Sequence, residues 1–568
     1  MLRKALSRYK WQAIASILMT MGMIAASLLQ PYFLAQMMTA ILNNQMESLP
    51  SLGLYLIGTA ILGLVAGGVN VVLSAYIAQA VSADMREETF RKIQTFSYAN
   101  IETFNAGNLV VRMTNDINQI QNLLMTVFQV LFRMPVLFIG AFIMGVMTLP
   151  SLWWLIVLMV VIVVALTGLM MGLMGPRFAK FQILIEKMNA IAKENLRGVR
   201  VVKSFVQEPA QYQKFKGVSD DLLEQNLFVG YAFSIVEPMM MAIAYGAIFL
   251  SIWLVAGMQN DVAAAGNIAS FVTYLGQIMF TIIMVGFLGN TVTRAMVSMR
   301  RIKEVLDTEP AMDFSSQELE DLEGSIRFDH VTFTYPGDDK PMLKDISFEV
   351  APGQMVGVVG ATGAGKSTLA QLIPRLFDPQ GGSIEIGGKN LKDLSAQTLR
   401  QAVSIVLQRA ILFSGTIADN IRQGKLNATP VEMERAARIA QASEFINRLD
   451  ETYQSTVEER GNNFSGGQKQ RMSIARGIVS DPKILILDDS TSALDAKSEK
   501  LVQEALNNDL KDTTTIIIAQ KISSVVNADK ILVLDQGRLI GEGTHKELVA
   551  SNDVYREIYE TQKGKELE

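Results

Sequence analysis

A chain of 568 residues is too long for one ordinary domain, and its apolar residues are unevenly spread: long apolar runs fill it to about Arg300, and soluble α/β-type sequence follows from about Ser325. A net charge of only −4 gives no basis for a nucleic-acid partner, and the absence of Cys excludes a disulfide framework and thiolate metal or redox chemistry. The 31 Met residues read most simply as flexible apolar filler.

The first apolar run is about thirty residues, too long for the apolar core of a cleaved signal. Six runs are long enough to cross a bilayer, which takes about 20 apolar residues: near Trp11–Leu42, Leu52–Ala80, Leu123–Leu149, Leu152–Gly175, Leu227–Ala256 and Ile268–Thr293. The segments 43–51, 150–151 and 257–267 contain no Lys or Arg, whereas the alternate segments carry many, among them Arg3, Arg86, Arg112, Arg177 and Lys203. Basic loops stay inside. Both termini, and with them the C-terminal domain, are therefore expected in the cytoplasm of a multi-pass protein of the cell membrane.

The inside loops 81–122 and 176–226 are long, amphipathic and poor in helix breakers. They read as continuations of the membrane helices, each arm reaching roughly 35 Å at 1.5 Å per residue. Each pair of arms is expected to turn at a short helix, near Ile101–Asn108 and near Phe205–Tyr212, with Phe104, Phe205 and Tyr212 placed to plug a groove on the soluble domain. Two ionisable residues fall inside the spans, Arg133 and Glu237, the latter followed by Pro238. Such groups usually face a cavity or a partner, so both are candidates to line a substrate path. The organisation expected is a membrane domain over 1–300, a linker over 301–324 and a soluble domain over 325–568.

In the soluble domain, Met355-Val-Gly-Val-Val359 reads as a strand, Gly360-Ala361-Thr362-Gly363-Ala364-Gly365-Lys366-Ser367-Thr368 as a glycine-rich loop, and the sequence from Leu369 as a helix. This is the phosphate-loop pattern at every fixed position. Glycines let successive N–H groups turn toward phosphate oxygens, and the helix N-terminus adds positive potential. Lys366 would reach the β- and γ-phosphates of a nucleotide, and the Ser367 hydroxyl would ligate Mg²⁺. Further on, Ser404–Gln408 is a short strand ending in an amide, and Ile484–Asp488 is a buried strand ending at Asp488 and Asp489, with Asp488 the metal-side carboxylate. Between them Ser465-Gly466-Gly467-Gln468 opens another helix, a second glycine-rich N-terminus suited to an anion.

The order of phosphate loop, Gln408, FSGGQ, ILILDD and Ser492-Ala-Leu-Asp495 resembles the ATP-binding cassette (ABC) family. With six spans on its N-terminal side, the chain is similar to an exporter half-transporter, a polytopic α-helical membrane domain of the type IV kind fused to an α/β cassette. The resemblance implies ATP and Mg²⁺ as cofactors. It also implies two cassettes packed head to tail, so that Ser465, Gly466, Gly467, Gln468 and Asp495 serve the nucleotide held by a partner. Tyr335 would stack on adenine, and Gln408 would contact Mg²⁺ beside Ser367 and Asp488.

Two positions depart from the family pattern. Asp489 stands where the family has a catalytic Glu, and Gln520 where it has a switch His; the two histidines of the chain, His330 and His545, lie elsewhere. A carboxylate displaced by about 1 Å can lose about a hundredfold in rate, and an amide cannot titrate. The resemblance narrows accordingly to the degenerate-site subunit of a heterodimeric bacterial multidrug exporter. Its partners would be a second, homologous half-transporter, the lipid bilayer, and hydrophobic or amphiphilic small molecules. Lipid or peptide export, or a non-transporting ATP-sensing subunit, are the rival readings.

Overall fold

The computed structural model describes residues 2–257, 262–314 and 318–566. They form two units, Met1–Gln94 with Gly107–Thr308, and Thr95–Ala106 with Glu309–Glu568.

The first unit is helical. Six helices among the described residues are long and apolar enough to cross a membrane, within Lys10–Leu42, Met46–Gln94, Ala106–Thr148, Pro150–Arg197, Glu208–Ala256 and Ala264–Val285. Their outward positions are strongly apolar, with Leu64, Val72, Met147 and Phe249 each more than two-thirds exposed. Water penalises such a surface; hydrocarbon does not. Polar contacts sit inside instead. The Ser16 hydroxyl donates to Asn70 Oδ1 (2.6 Å), and Gln129 Nε2 donates to Ser74 Oγ (2.8 Å), so paired helices are held by hydrogen bonds as well as by packing. The fifth helix runs unbroken through Pro238.

Two π turns interrupt the third helix, at Arg112–Asp116 and Val127–Leu131. The first turns two buried polar residues toward the helix Val262–Asp307. Arg112 Nη1 donates to Arg301 O and to Glu304 Oε2 (both 2.8 Å), and Asp116 Oδ1 accepts from Ser298 Oγ (2.8 Å).

The arms do turn at short helices, but not quite where the sequence places them. The first is Tyr98–Phe104, because Ser97 and Asn100 close a capping box that fixes its start. The second is Val199–Ser204, ending before Phe205, with Val206 in the left-handed region (φ 51°). Phe104 stacks on Phe96, and Tyr98 meets Phe377 edge to face at 5.5 Å. Phe205 and Tyr212 are well exposed.

In the second unit, four strands pair antiparallel in the order β2-β1-β4-β5: β1 (Ile326–Phe333), β2 (Leu343–Val350), β4 (Gly381–Ile386) and β5 (Lys389–Asn390). The main sheet has the order β12-β11-β3-β10-β9-β6. It comprises β3 (Met355–Gly360), β6 (Val403–Val406), β9 (Ile484–Asp488), β10 (Thr514–Ile518), β11 (Lys530–Asp535) and β12 (Arg538–Gly543). A two-residue pair, β7 (Gly415–Thr416) with β8 (Thr456–Val457), lies apart. Strands β9 and β10 are buried at every residue, as a parallel sheet covered on both faces requires. The acidic connector is not free. Asn100 Oδ1 accepts from Ala311 N (2.9 Å), Arg375 Nη2 donates to Asp313 O (3.1 Å), and Thr398 Oγ1 donates to Glu318 O (3.1 Å).

Candidate nucleotide site

Strands β6, β9, β10 and β3 are consecutive and parallel, so their carboxyl ends open on one edge of the sheet. Open α/β sheets bind ligands at such edges. There the chain places Gln408 two residues beyond β6, Asp488 and Asp489 at the end of β9, Gln520 two residues beyond β10, and the loop 360–365 after β3. A cavity of about 260 Å³ is lined by this loop, by Lys366, Ser367 and Thr368, and by Gln408, Asp488, Asp489 and Gln520.

The loop needs its glycines. Gly365 sits at φ 99° just before the helix Lys366–Leu372, and a Cβ there would come within 2.6 Å of Leu343 Cδ2. At Gly360 (φ 149°) a Cβ would fall 2.1 Å from Leu534 O. Lys366 Nζ folds back on Gly360 O (2.8 Å) and Ala361 O (3.0 Å), and Ser367 Oγ donates to Asp488 Oδ1 (3.0 Å). Thr368, also on the cavity lining, is itself buried. Its hydroxyl pairs with the Tyr335 hydroxyl (2.9 Å), whose ring packs edge-on against Phe333 and Phe377.

The electrostatics of the cavity are unbalanced. Burial pushes the Asp488 carboxyl above the usual range, as does neighbouring Asp489, against the Ser367 hydrogen bond and the charge of Lys366. Burial raises Asp489 as well, and it lowers Lys366, whose charge the two carboxylates support. A serine hydroxyl beside a carboxylate, both oxygen donors, with a lysine and a helix N-terminus close by, suits a divalent hard cation together with a polyphosphate. The donor set fits MgATP.

Asp489 departs most from a free catalytic carboxylate. One of its oxygens, Oδ2, accepts from both Gln408 Nε2 (2.9 Å) and Gln520 Nε2 (3.1 Å). The residue itself sits at φ 47°, in the left-handed region.

The second glycine-rich segment lies elsewhere on the cassette. Ser465 caps the helix Gly466–Ile478 in a capping box, its hydroxyl accepting from Gln468 N (3.3 Å) while Gln468 Oε1 accepts from Ser465 N (2.9 Å). That arrangement answers two of the donors every helix start leaves over, and the Gly466 and Gly467 N–H groups remain for an anion. Ser465 and Gly466 are exposed, and nothing lies within 4 Å of where a Gly466 Cβ would be. Asp495 caps the next helix, Ala496–Asp509, accepting from Ser498 N (2.9 Å) and Ser498 Oγ (2.6 Å), which hold its carboxyl below the usual range.

Arg133 begins the last stretch of the third helix with its Nε buried and without a hydrogen-bond partner, and the Glu237 side chain lies outside the described residues. Sequence reasoning missed Tyr98, Gln371 and Gln470. The first two only join the site through long-range contacts with Phe377 and Tyr335.

A six-helix membrane unit continuous with a phosphate-loop cassette defines an ATP-dependent membrane transporter. Two family profiles match the chain, "ABC transporter transmembrane region" over residues 13–282 and "ABC transporter" over residues 343–492. An uncharacterized ABC transporter ATP-binding protein of Bacillus subtilis, YfiB, is 35% identical over all of this chain and 99% of its own length. The ATP-dependent lipid A-core flippase of Pseudomonas putida is 33% identical over 85% of this chain and 81% of its own length. A bacterial Atm1-family ABC exporter, solved with ATP bound, superimposes with a TM-score of 0.78 at 26% identity over 98% of both chains. The chain belongs to the ABC transporter family and is an exporter half-transporter, with a membrane unit and an ATP-binding cassette in one polypeptide.

Proposed function

We propose that this chain is the degenerate-site half of a heterodimeric exporter that moves amphiphilic compounds across the cell membrane, with both termini and the cassette in the cytoplasm. Its own loop (Gly360, Thr362, Gly363, Ala364, Gly365, Lys366) holds the ATP phosphates, and Tyr335 stacks on the adenine. Ser367, Gln408 and Asp488 hold Mg²⁺, which when bound neutralises phosphate charge. This site binds ATP and hydrolyses it poorly. Ser465, Gly466, Gly467 and Gln468, with the Asp495 turn, complete a competent site on the partner, which supplies the catalytic Glu and the switch His.

The observation that carries this reading is the Asp489 oxygen shared by two amides. A general base has to reach the attacking water with a free lone pair and a suitable pKa. Asp489 is a methylene shorter than Glu, has its Oδ2 engaged by both Gln408 and Gln520, and has no titratable neighbour at position 520. The test is ATPase activity of the chain purified alone and again with the protein that co-purifies from its native membrane, followed by efflux from vesicles holding the pair. Turnover by the chain alone equal to that of the pair would overturn the reading. A lipid substrate is the second reading, supported by the likeness to proteins named lipid A-core flippases; flipping of a labelled lipid in the same vesicles separates the two.

A further inference from the structure

The turn that follows Asp489 is fastened at both ends. Ser492 Oγ donates to Asp489 O (2.8 Å), Thr491 Oγ1 donates to Glu499 Oε1 (3.1 Å), and Leu494 N donates to Thr491 O (3.0 Å). Glu499 Oε1 also accepts from Ser524 Oγ (2.5 Å). The turn then ends at Asp495, whose two carboxylate oxygens are both engaged by Ser498 of its own helix. With those oxygens occupied, the backbone path through Ala493 and Leu494 sets where this turn presents itself.

One side chain ties that path to the glycine-rich helix. Gln470 Oε1 accepts from Ala493 N (3.1 Å), and Gln470 is 6% exposed. The two backbones are close at the same place, since a Cβ on Gly467 would lie 3.1 Å from Ala493 O and 3.8 Å from Leu494 Cδ2. Gln470 is five residues from Ser465, on the second turn of the helix Gly466–Ile478, while the exposed N-terminus of that helix carries the donors left for an anion. A continuous run of fixed contacts therefore leads from Asp489, at the chain's own phosphate site, through Ser492 and Ala493 to Gln470 and the Ser465–Gln468 start.

We infer that Gln470 is a positioning residue, which locks the Ser492–Asp495 turn to the glycine-rich helix so that this chain offers both to a second cassette's nucleotide as one rigid face. The inference rests on the reading that Ser465–Gln468 serves a nucleotide held by another cassette, though not on whether that cassette is identical or different. The physical reason for such a lock is geometric. Two elements that converge on one phosphate must keep their spacing, and a displacement of about 1 Å costs about a hundredfold in rate. An amide suits this position because Gln accepts the Ala493 N–H without placing a charge in a buried place.

The experiment compares Gln470→Met, of similar length but without the acceptor, with Gln470→Glu, which keeps an oxygen for Ala493 N. Both are made in the full chain and purified with its co-purifying partner, and Gly466→Asp is the control for the reading beneath. The expected result for Gln470→Met is kcat lowered about 10- to 100-fold with the ATP KM within about threefold, because the nucleotide's own phosphate loop is untouched. Gln470→Glu keeps the acceptor but brings a carboxyl into a buried place, so its thermal midpoint should fall by several °C while its kcat recovers to at least about threefold above that of Gln470→Met, whose own midpoint should stay within about 4 °C. Full turnover by Gln470→Met would overturn the inference, as would Gln470→Glu falling as low as Gln470→Met with its fold intact. A loss of kcat matched by a large fall in thermal midpoint for Gln470→Met alone, with KM rising in step, would also overturn it by making the residue merely structural. If Gly466→Asp leaves turnover unchanged, the trans reading itself is wrong; if Gly466→Asp stops turnover and Gln470→Met does not, only the Gln470 inference fails.

Discussion

Exchanging Gly466 for Asp in this chain should all but abolish ATP hydrolysis by the assembled exporter, and it should do so without harming the chain that carries it. Gly466 is the exposed first residue of its helix, and its missing Cβ points into open space with nothing within 4 Å. An acid at a helix N-terminus is mildly stabilising, by about 0.3–1 kcal/mol. The thermal midpoint of the chain alone should therefore not fall. Facing a nucleotide, the same carboxylate would sit about 4 Å from phosphate charge, which at an effective dielectric of about 20 costs about 4 kcal/mol. At about 1.4 kcal/mol per decade, that is roughly a thousandfold loss. On the proposed reading, Lys366→Ala instead empties a site that hardly turns over, and acts on the other only through coupling of about 1–3 kcal/mol, or roughly 5- to 150-fold. Steady-state ATPase of the purified pair measures both variants. If Lys366→Ala halts turnover while Gly466→Asp is tolerated, the chain's own loop holds the working site and the assignment is inverted.

Two further outcomes follow from the same cavity. Asp489→Glu alone should restore little hydrolysis at this chain's own site, and Asp489→Glu with Gln520→His should restore clearly more; single-turnover hydrolysis in pairs whose partner site is disabled reads out the difference. Because burial raises the Asp488 carboxyl pKa, its contribution to the nucleotide-free fold is most favourable below the unfolded carboxylate range and is lost as pH rises through the folded value. Asp488→Asn should accordingly raise the nucleotide-free thermal midpoint at pH 7 by about 2–4 °C, flatten its pH dependence, and remove the further rise that MgATP produces; an unchanged or lowered midpoint would refute this.

Much of this was legible in the sequence because it is local. Apolar length marks the six spans, and the phosphate loop and the run to Asp488 announce themselves by residue type at fixed spacing. What escaped depends on contacts far along the chain or on backbone detail. A π turn such as Val127–Leu131 has no composition of its own, and whether Gln129 finds Ser74 is settled 55 residues away. The first short helix starts at Tyr98 because Ser97 and Asn100 cap each other, a polar signal overlooked beside the aromatic Phe104. Gln470 carries no motif signal of its own, and its role depends on Ala493, 23 residues on, returning to donate to it. The acidic connector reads as a free linker for the same reason, since Arg375 and Thr398, which hold it, lie 62 and 80 residues on.

The two departures from the family pattern explain each other physically. At Asp489 a single carboxylate oxygen takes one amide from each side, 2.9 Å from Gln408 and 3.1 Å from Gln520. Lengthening the side chain by one methylene would push that oxygen past the point where both amides reach it, giving up at least one hydrogen bond worth about 1 kcal/mol. Replacing Gln520 by His leaves a ring donor with a different reach, so Asp489 would again lose a partner unless it lengthened too. Either change alone is uphill and gains no working base, because the longer acid lacks the titratable neighbour and the His lacks the longer acid. On the proposed reading, Asp489 and Gln520 form a matched pair, in which two neutral amides hold the carboxylate away from the role of a base. A site so arranged would, on that reading, hold a nucleotide through many turnovers of a neighbouring one, the division of labour expected of two unlike cassettes.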